Sequence, residues 1–144
     1  MIIYLSDYDL KHWASALQEL GVFPIELLPP EFLSDNWIKK MLEIIETVKL
    51  PHYKESIHHK AAHLFYKIIR NHLLFDGNKR SAVITIYCFY AINSYVLLPK
   101  AMEVYDLAHI VVKKSSKESE NDIAELEQIF GKVARSFIEL KSSN

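Results

Sequence analysis

The segment from His72 to Arg80, which reads HLLFDGNKR, concentrates side chains that could bind and transfer a phosphate group. A turn at Asp76 and Gly77 opens directly into a predicted helix. The first turn of a helix leaves backbone N–H groups without internal partners, and together they present about half a positive charge. Gly77 has no side chain where a phosphate would approach the backbone, and Lys79 and Arg80 add two full charges. The segment therefore predicts a phosphate site.

Two further side chains would give this site its chemistry. Asp76 offers carboxylate oxygens suited to Mg²⁺, the cation that usually accompanies nucleotide phosphates. His72 ends the preceding predicted helix on the same face as Ala61 and Ile68. There it could act as a general base for a hydroxyl group. Each feature alone is ordinary, as a core histidine, a turn or a solvated pair of cations; their order and spacing favour a functional site.

The elements that must position these residues are helices. Apolar periodicity predicts six helices in a single all-α domain over residues 1–144, since no repeat or linker divides the chain. The first predicted helix follows a cap at Ser6 and turns Leu10, Trp13, Leu17 and Leu20 inward. The second spans Asp35–Thr47 after a cap at Ser34, the third spans Ser56–His72, and the fourth follows the turn at Phe75 to Gly77 and is free of charge from Ser81. The fifth spans Ala101–Val112, and the last has on one face Ile123, Leu126, Phe130, Val133, Phe137 and Leu140.

The connections between the helices are also marked in the sequence. Leu28-Pro29-Pro30 predicts a loop, Lys49 to Tyr53 breaks the second helix, and Tyr95 to Lys100 is expected to be a simple connection. The inward face of the third helix is expected to hold Ile57, Ala61, Leu64 and Ile68.

The fourth helix requires a membrane test, because no charge occurs from Ser81 to Pro99. That length approaches a spanning helix, but Thr85 and Asn93 interrupt it and Lys79-Arg80 opens it. A helix buried on all sides has the same composition. We therefore expect a buried helix and no membrane association.

The composition indicates an ordinary soluble domain. The net charge of −1 gives no reason to expect nucleic acid as a partner. Cys88 is the only cysteine, which fits a reducing compartment. The first residues contain no basic region typical of a signal peptide. A cytoplasmic location is the expectation.

The order His72-x-x-x-Asp76-Gly77-Asn78-Lys79-Arg80 resembles the signature of the Fic/Doc family, commonly written H-x-F-x-D/E-G/A-N-G/K-R. Six specified positions match without a gap. The segments before the motif are similar to the Doc (death-on-curing) branch: Leu42–Ile45, Pro51–Tyr53, Ala61–Ala62 and Arg70–His72. The resemblance extends from about Ile3 to Leu98 and implies a helical bundle with a short flap before the third helix.

The resemblance implies a role for each motif residue. His72 would deprotonate the target hydroxyl, and Asp76 would hold Mg²⁺. The nucleotide phosphates of ATP would be bound by Gly77, Asn78, Lys79 and Arg80. An extended segment of the target protein would add as a strand to a flap. The corresponding residues are Leu50, Pro51, His52, Tyr53, Lys54 and Glu55; from the sequence alone they could equally be an ordinary connection between helices.

Departures from the motif favour one branch of the family. The usual aromatic third position is Leu74, with Phe75 one place later, which predicts a small shift of the anchor. Adenylylating Fic proteins generally carry Gly before the arginine and a second arginine three residues after it, where this chain has Lys79 and Val83. Both residues match the Doc branch, whose members transfer a terminal phosphoryl group to a hydroxyl of a translation factor.

The resemblance therefore implies phosphorylation of a Ser/Thr hydroxyl on a protein of the translation machinery. Adenylylation is the alternative, and a non-catalytic nucleotide-binding regulatory module is a second one. In the third reading, a base at His72 and a metal ligand at Asp76 would have no use.

Two shorter patterns have weaker implications. His58, His59 and His63 cluster, with His59 and His63 one helical turn apart, but no third ligand with metal-site spacing is evident, so a solvated or structural cluster is expected. The residues from Ser116 to Asn121 match the family's inhibitory pattern S/T-x-x-x-E-G/N. We interpret them as the polar start of the last helix, which implies that inhibition comes from a separate antitoxin.

Overall fold

The computed structural model describes residues 1–12, 32–50, 56–71, 78–97, 106 and 120–142, with the backbone alone at 78–80. Within these ranges the regular secondary structure is helical apart from one small antiparallel sheet, which confirms the predicted all-α class. The elements are α1 (7–12, as far as it is described), α2 (Asp35–Val48), α3 (Ile57–Arg70), α4 (Asn78–Ile92), β1 (Tyr95–Leu97), α5 (Glu120–Val133), β2 (Ala134–Ser136) and α6 (Phe137–Ser142).

The first two helices begin at the predicted caps. The Ser6 hydroxyl accepts a hydrogen bond from the Asp9 amide at 3.2 Å, and the Asp9 carboxylate accepts one from the Ser6 amide at 2.9 Å. This reciprocal pair is a capping box. The Ser34 hydroxyl likewise accepts from the Trp37 amide at 3.2 Å. Both starts satisfy backbone donors that have no partner within the helix.

Helix α3 lies at the centre and packs against α2, α4 and α5. Its predicted inward residues Ala61, Leu64 and Ile68 are buried, and Ile57 is partly buried against the same core. The helix ends at Arg70, with Asn71 as its C-cap.

Helix α4 is buried around its circumference, as its charge-free sequence predicts. The buried set includes opposite faces of the helix: Ser81, Ala82, Val83, Ile84, Thr85, Ile86, Cys88, Phe89 and Tyr90. The Thr85 hydroxyl donates to the Ser81 carbonyl at 2.8 Å, so this polar side chain is satisfied within the helix. Among the described residues, no helix is long and apolar enough to span a membrane.

The predicted connection after α4 and the predicted continuous last helix are both corrected by the structure. Strand β1 pairs antiparallel with β2, with Tyr95 opposite Ser136 and Leu97 opposite Ala134. The sheet ends α5 at Val133, and Phe137 beyond it is 50% exposed. The apolar residues keep a helical spacing through strand β2, so the sequence predicts one continuous helix. The strand forms because it pairs with β1, which is distant along the chain.

Several predictions concern residues outside the described ranges. These are the inward positions Trp13, Leu17 and Leu20, the loop at Leu28 to Pro30, and most of the fifth predicted helix at Ala101–Val112. Of that helix, Asp106 is described and is helical.

Candidate functional site

The predicted catalytic segment connects α3 to α4. His72, Asp76 and Gly77 lie outside the described residues, so their predicted roles remain predictions. The backbone of residues 78–80, which carries Asn78, Lys79 and Arg80, forms the first turn of α4, as the phosphate-site hypothesis requires. Since α3 and α4 pack on each other, the described helices frame both ends of the segment.

The end of α3 is fixed immediately before His72. The Asn71 amide donates to the Lys67 carbonyl at 3.0 Å, and the Asn71 side-chain amide donates to the same oxygen at 2.6 Å. Two cations, Lys67 and Arg70, lie in the last turn, where positive charge interacts favourably with the helix dipole. These contacts set the point at which the chain leaves the helix toward His72.

The start of α4 is anchored by the core. The side chains of residues 81–86 and 88–90 are buried, so the core holds in place the helix that begins with the motif residues at 78–80. Val83, the residue that the sequence comparison sets against the second arginine of adenylylating Fic proteins, is completely buried. An apolar, buried residue at that position cannot contribute a cation to nucleotide binding.

A polar groove with a volume of about 440 Å³ runs between α2 and the end of α3. It borders Asn71, the residue that precedes His72. Its lining is Lys40, Glu43, Ile44, Thr47, Lys67 and Asn71. The sequence does not predict this surface, because it forms only where two helices meet; the one local signal is the spacing of Lys67 and Asn71, four residues apart on one face.

Only the beginning of the predicted flap is described. Leu50 is exposed, and its amide donates to the Thr47 carbonyl at 3.2 Å. Pro51, His52, Tyr53, Lys54 and Glu55 lie outside the described residues. A buried lysine of α3, Lys60, reaches this point with its Nζ 3.5 Å from the Leu50 carbonyl oxygen.

The histidine cluster on α3 has structural contacts. His58 Nδ1 lies 2.9 Å from the Tyr90 hydroxyl, and His59 Nδ1 lies 3.0 Å from a Glu127 carboxylate oxygen. The rings of His59 and His63 meet edge to face, with centroids 4.7 Å apart. Within the described ranges, no group of three or more potential ligands could hold a metal ion. The structural interpretation of this cluster is favoured.

Burial keeps two other potentially reactive side chains, those of Cys88 and Tyr90, in their protonated forms. Burial raises the pKa of the Cys88 thiol to about 12, so the reactive thiolate is scarce at neutral pH. Burial likewise raises the pKa of Tyr90 above its ordinary value, with a smaller contribution from neighbouring Tyr95. Neither group is suited to act as nucleophile or base.

The segment from Ser116 to Asn121, which matches the inhibitory pattern, is described only at its end. Glu120 and Asn121 are exposed and open α5, in agreement with the interpretation of a polar helix start. Ser116 to Ser119 lie outside the described residues, and an inhibitory role of the segment remains a hypothesis.

Comparison with known proteins identifies one similarity. The model of the Fic/DOC family matches residues 29–90, which include α2, α3, most of α4 and the whole segment from His72 to Arg80. The match covers less than half of the 144 residues and is narrower than the span inferred from Ile3 to Leu98. It does not distinguish the Doc branch.

No curated protein and no solved structure matches the chain. Members of this family are generally transferases that act on proteins, and the helical architecture is consistent with their fold.

Proposed function

We propose that this protein transfers the terminal phosphoryl group of ATP to a serine or threonine hydroxyl of a target protein. The observation that carries the proposal is the uninterrupted motif from His72 to Arg80, which lies within the family match and connects two packed helices. Lys79 and Val83 then favour phosphoryl over adenylyl transfer.

The proposed reaction is an in-line displacement at the terminal phosphorus. His72 accepts the proton of the target hydroxyl as its oxygen attacks. The bond between the γ-phosphorus and the oxygen bridging to the β-phosphate breaks, and ADP leaves. The backbone N–H groups at the start of α4, with Gly77, Asn78, Lys79 and Arg80, bind the phosphates. Mg²⁺ held by Asp76 would supply further neutralisation of the phosphate charge.

The orientation of the nucleotide is inferred from positions 79 and 83. In the adenylylating arrangement, a glycine lets the triphosphate lie close to the backbone and a second arginine helps to hold it. Lys79 brings a side chain and a charge into that path. Val83 is buried and apolar, so no compensating cation is available there. The nucleotide is therefore expected to bind in the reverse sense, with its terminal phosphate toward His72.

The target is proposed to bind beside the motif. The flap from Leu50 to Glu55 would take an extended segment of the target, and the lining of the polar groove includes Asn71, the residue that precedes His72. A protein of the translation machinery as target and a separate antitoxin as inhibitor are proposals that rest on similarity to the Doc branch.

The experiment is a comparison of two labels. Purified protein is incubated with Mg²⁺, cell extract and ATP labelled on either the γ- or the α-phosphate, with the His72→Ala variant as a matched control. The γ-label should appear on a protein of the extract, and His72→Ala should leave it unlabelled. Transfer of the α-label instead would establish adenylylation. Nucleotide binding without transfer of either label would support the non-catalytic module and contradict the proposal.

A further inference from the structure

A buried lysine on α3 has no part in the proposed reaction. Lys60 is 0% exposed, although lysine is almost never fully buried unless it is paired. Its Nζ donates to the Val48 carbonyl at 2.7 Å, a short charge-assisted hydrogen bond, and lies 3.5 Å from the Leu50 carbonyl oxygen. Burial of an ammonium group is costly without such acceptors. The contact to Val48 is therefore a strong constraint between α3 and α2.

The two carbonyls mark the place where the chain leaves α2. Val48 is the last residue of that helix, and the last carbonyls of a helix have no partner within it. A positive charge there also interacts favourably with the helix dipole. The Lys49 and Leu50 amides complete the end by donating to Ile45 and Thr47. Lys60 thus fixes the exit direction of the chain from the side of the core.

We infer that Lys60 is a positioning residue for target binding: through the Val48 and Leu50 carbonyls, it sets where the chain enters the predicted flap. This inference rests on the proposed function, because that function makes Leu50 the first residue of the target-binding segment. Leu50 combines an exposed side chain with a backbone held from the core, as a fixed docking edge requires. Strand addition depends on main-chain groups, so a displaced backbone should weaken binding of the target rather than the chemistry.

The test uses Lys60→Met, which keeps the length and bulk of the side chain but removes its donors and charge. Lys49→Met is the matched control, since it removes a lysine at the same helix end whose Nζ pairs with exposed Glu46 at 2.8 Å. The probe is the extract protein that the wild type labels from γ-labelled ATP, purified for this assay, and in Lys60→Met the KM for it should rise about tenfold or more. The KM for Mg-ATP and kcat at saturating target should change by less than about twofold. Lys49→Met should leave all three unchanged.

Hydrogen exchange of the backbone amides provides a readout that needs no activity. Residues 46–55 should exchange faster in Lys60→Met than in the wild type and in Lys49→Met, while α4 and α5 keep their protection. Lys60→Arg, which keeps the charge with a different donor geometry, should raise the KM for the target less than Lys60→Met does. If Lys60→Met does not fold, the KM and the exchange of Lys60→Arg decide the matter.

The two proposals fail in different ways. A wild-type protein that transfers no label refutes the proposed function; exchange at residues 46–55 then decides alone whether Lys60 fixes this segment. Unchanged exchange in a folded Lys60→Met protein overturns the inference. A fall in kcat together with equal rises in the KM for the target and the KM for Mg-ATP also overturns it, because this pattern would indicate a general structural role.

Discussion

Among the single residues, His72 has the most specific expected role, because it is proposed to serve the acceptor hydroxyl and not the nucleotide. We predict that His72→Ala lowers the rate of transfer by about 10²–10⁴-fold, the usual loss for a general base. Affinity for Mg-nucleotide should stay close to that of the wild type, since the start of α4 and Arg80 remain. Single-turnover rates and nucleotide titration check the two parts separately; a fully active variant would contradict the mechanism.

Arg80 and Asp76 are predicted to act already in the ground state. Arg80→Ala and Asp76→Ala should each weaken Mg-nucleotide binding as well as the rate, because charge pairing and metal binding precede the chemical step. Calorimetric titration with Mg-ATP measures the affinity, and His72→Ala is the contrasting variant. If both variants bind as tightly as the wild type, the phosphates lie elsewhere.

At the scale of the elements, α5 contains a glycine that the packing does not require. Gly131 lies in the last turn of α5, two residues before its end at Val133, and a Cβ there would be 3.7 Å from the His58 ring, an ordinary contact distance. Glycine is less favourable than alanine in a helix interior. We predict that Gly131→Ala raises the free energy of unfolding by about 0.5–1 kcal/mol, as measured by urea denaturation.

The matched control is the opposite substitution at an exposed position of the same helix. Ala124 is exposed on α5, and Ala124→Gly should lower the free energy of unfolding by a similar amount, about 0.5–1 kcal/mol. A loss of stability in Gly131→Ala would mean that the His58 ring does not tolerate the added methyl group.

At the scale of the whole molecule, the His58 ring lies where four elements meet. Its Nδ1 is 2.9 Å from the Tyr90 hydroxyl of α4, its ring meets Tyr95 of β1 edge to face, and it faces Gly131 of α5. Through these contacts the His58 ring links α3 to α4, to strand β1 and to α5.

Burial lowers the pKa of His58 below 6.5, and nearby Arg135 acts in the same direction. Glu127 and Glu139 oppose the shift without reversing it. The folded protein therefore binds fewer protons at this site than the unfolded chain does, so stability falls as the pH decreases below the unfolded pKa of 6.5. The loss continues until the pH reaches the lowered pKa of the folded state.

We predict that the wild type loses more stability than His58→Asn between pH 7 and pH 5, because asparagine can accept from Tyr90 but does not titrate. The measurement is the free energy of unfolding by urea at several values of pH for both proteins. Parallel curves for the two proteins would show that His58 does not contribute to the pH dependence.

The sequence by itself determined the features that depend on neighbouring residues. The caps at Ser6 and Ser34, the buried α4 and the inward face of α3 follow from interactions within one or two helical turns. The motif from His72 to Arg80 and its similarity to the Fic/DOC family are likewise contained in a short segment. Its geometry stays a prediction where the residues lie outside the described ranges.

Only the tertiary structure decided the features that join distant segments. The sheet of β1 and β2 interrupts an apolar repeat that favoured one long helix, since a strand needs a partner that local periodicity does not specify. The hydrogen bond from Lys60 of α3 to the Val48 carbonyl of α2 joins two residues that are 12 positions apart in the sequence. Lysine in a helix is ordinarily solvated, so its type gave no sign of burial. Packing alone brought its ammonium to the end of α2, where the open carbonyls make burial favourable.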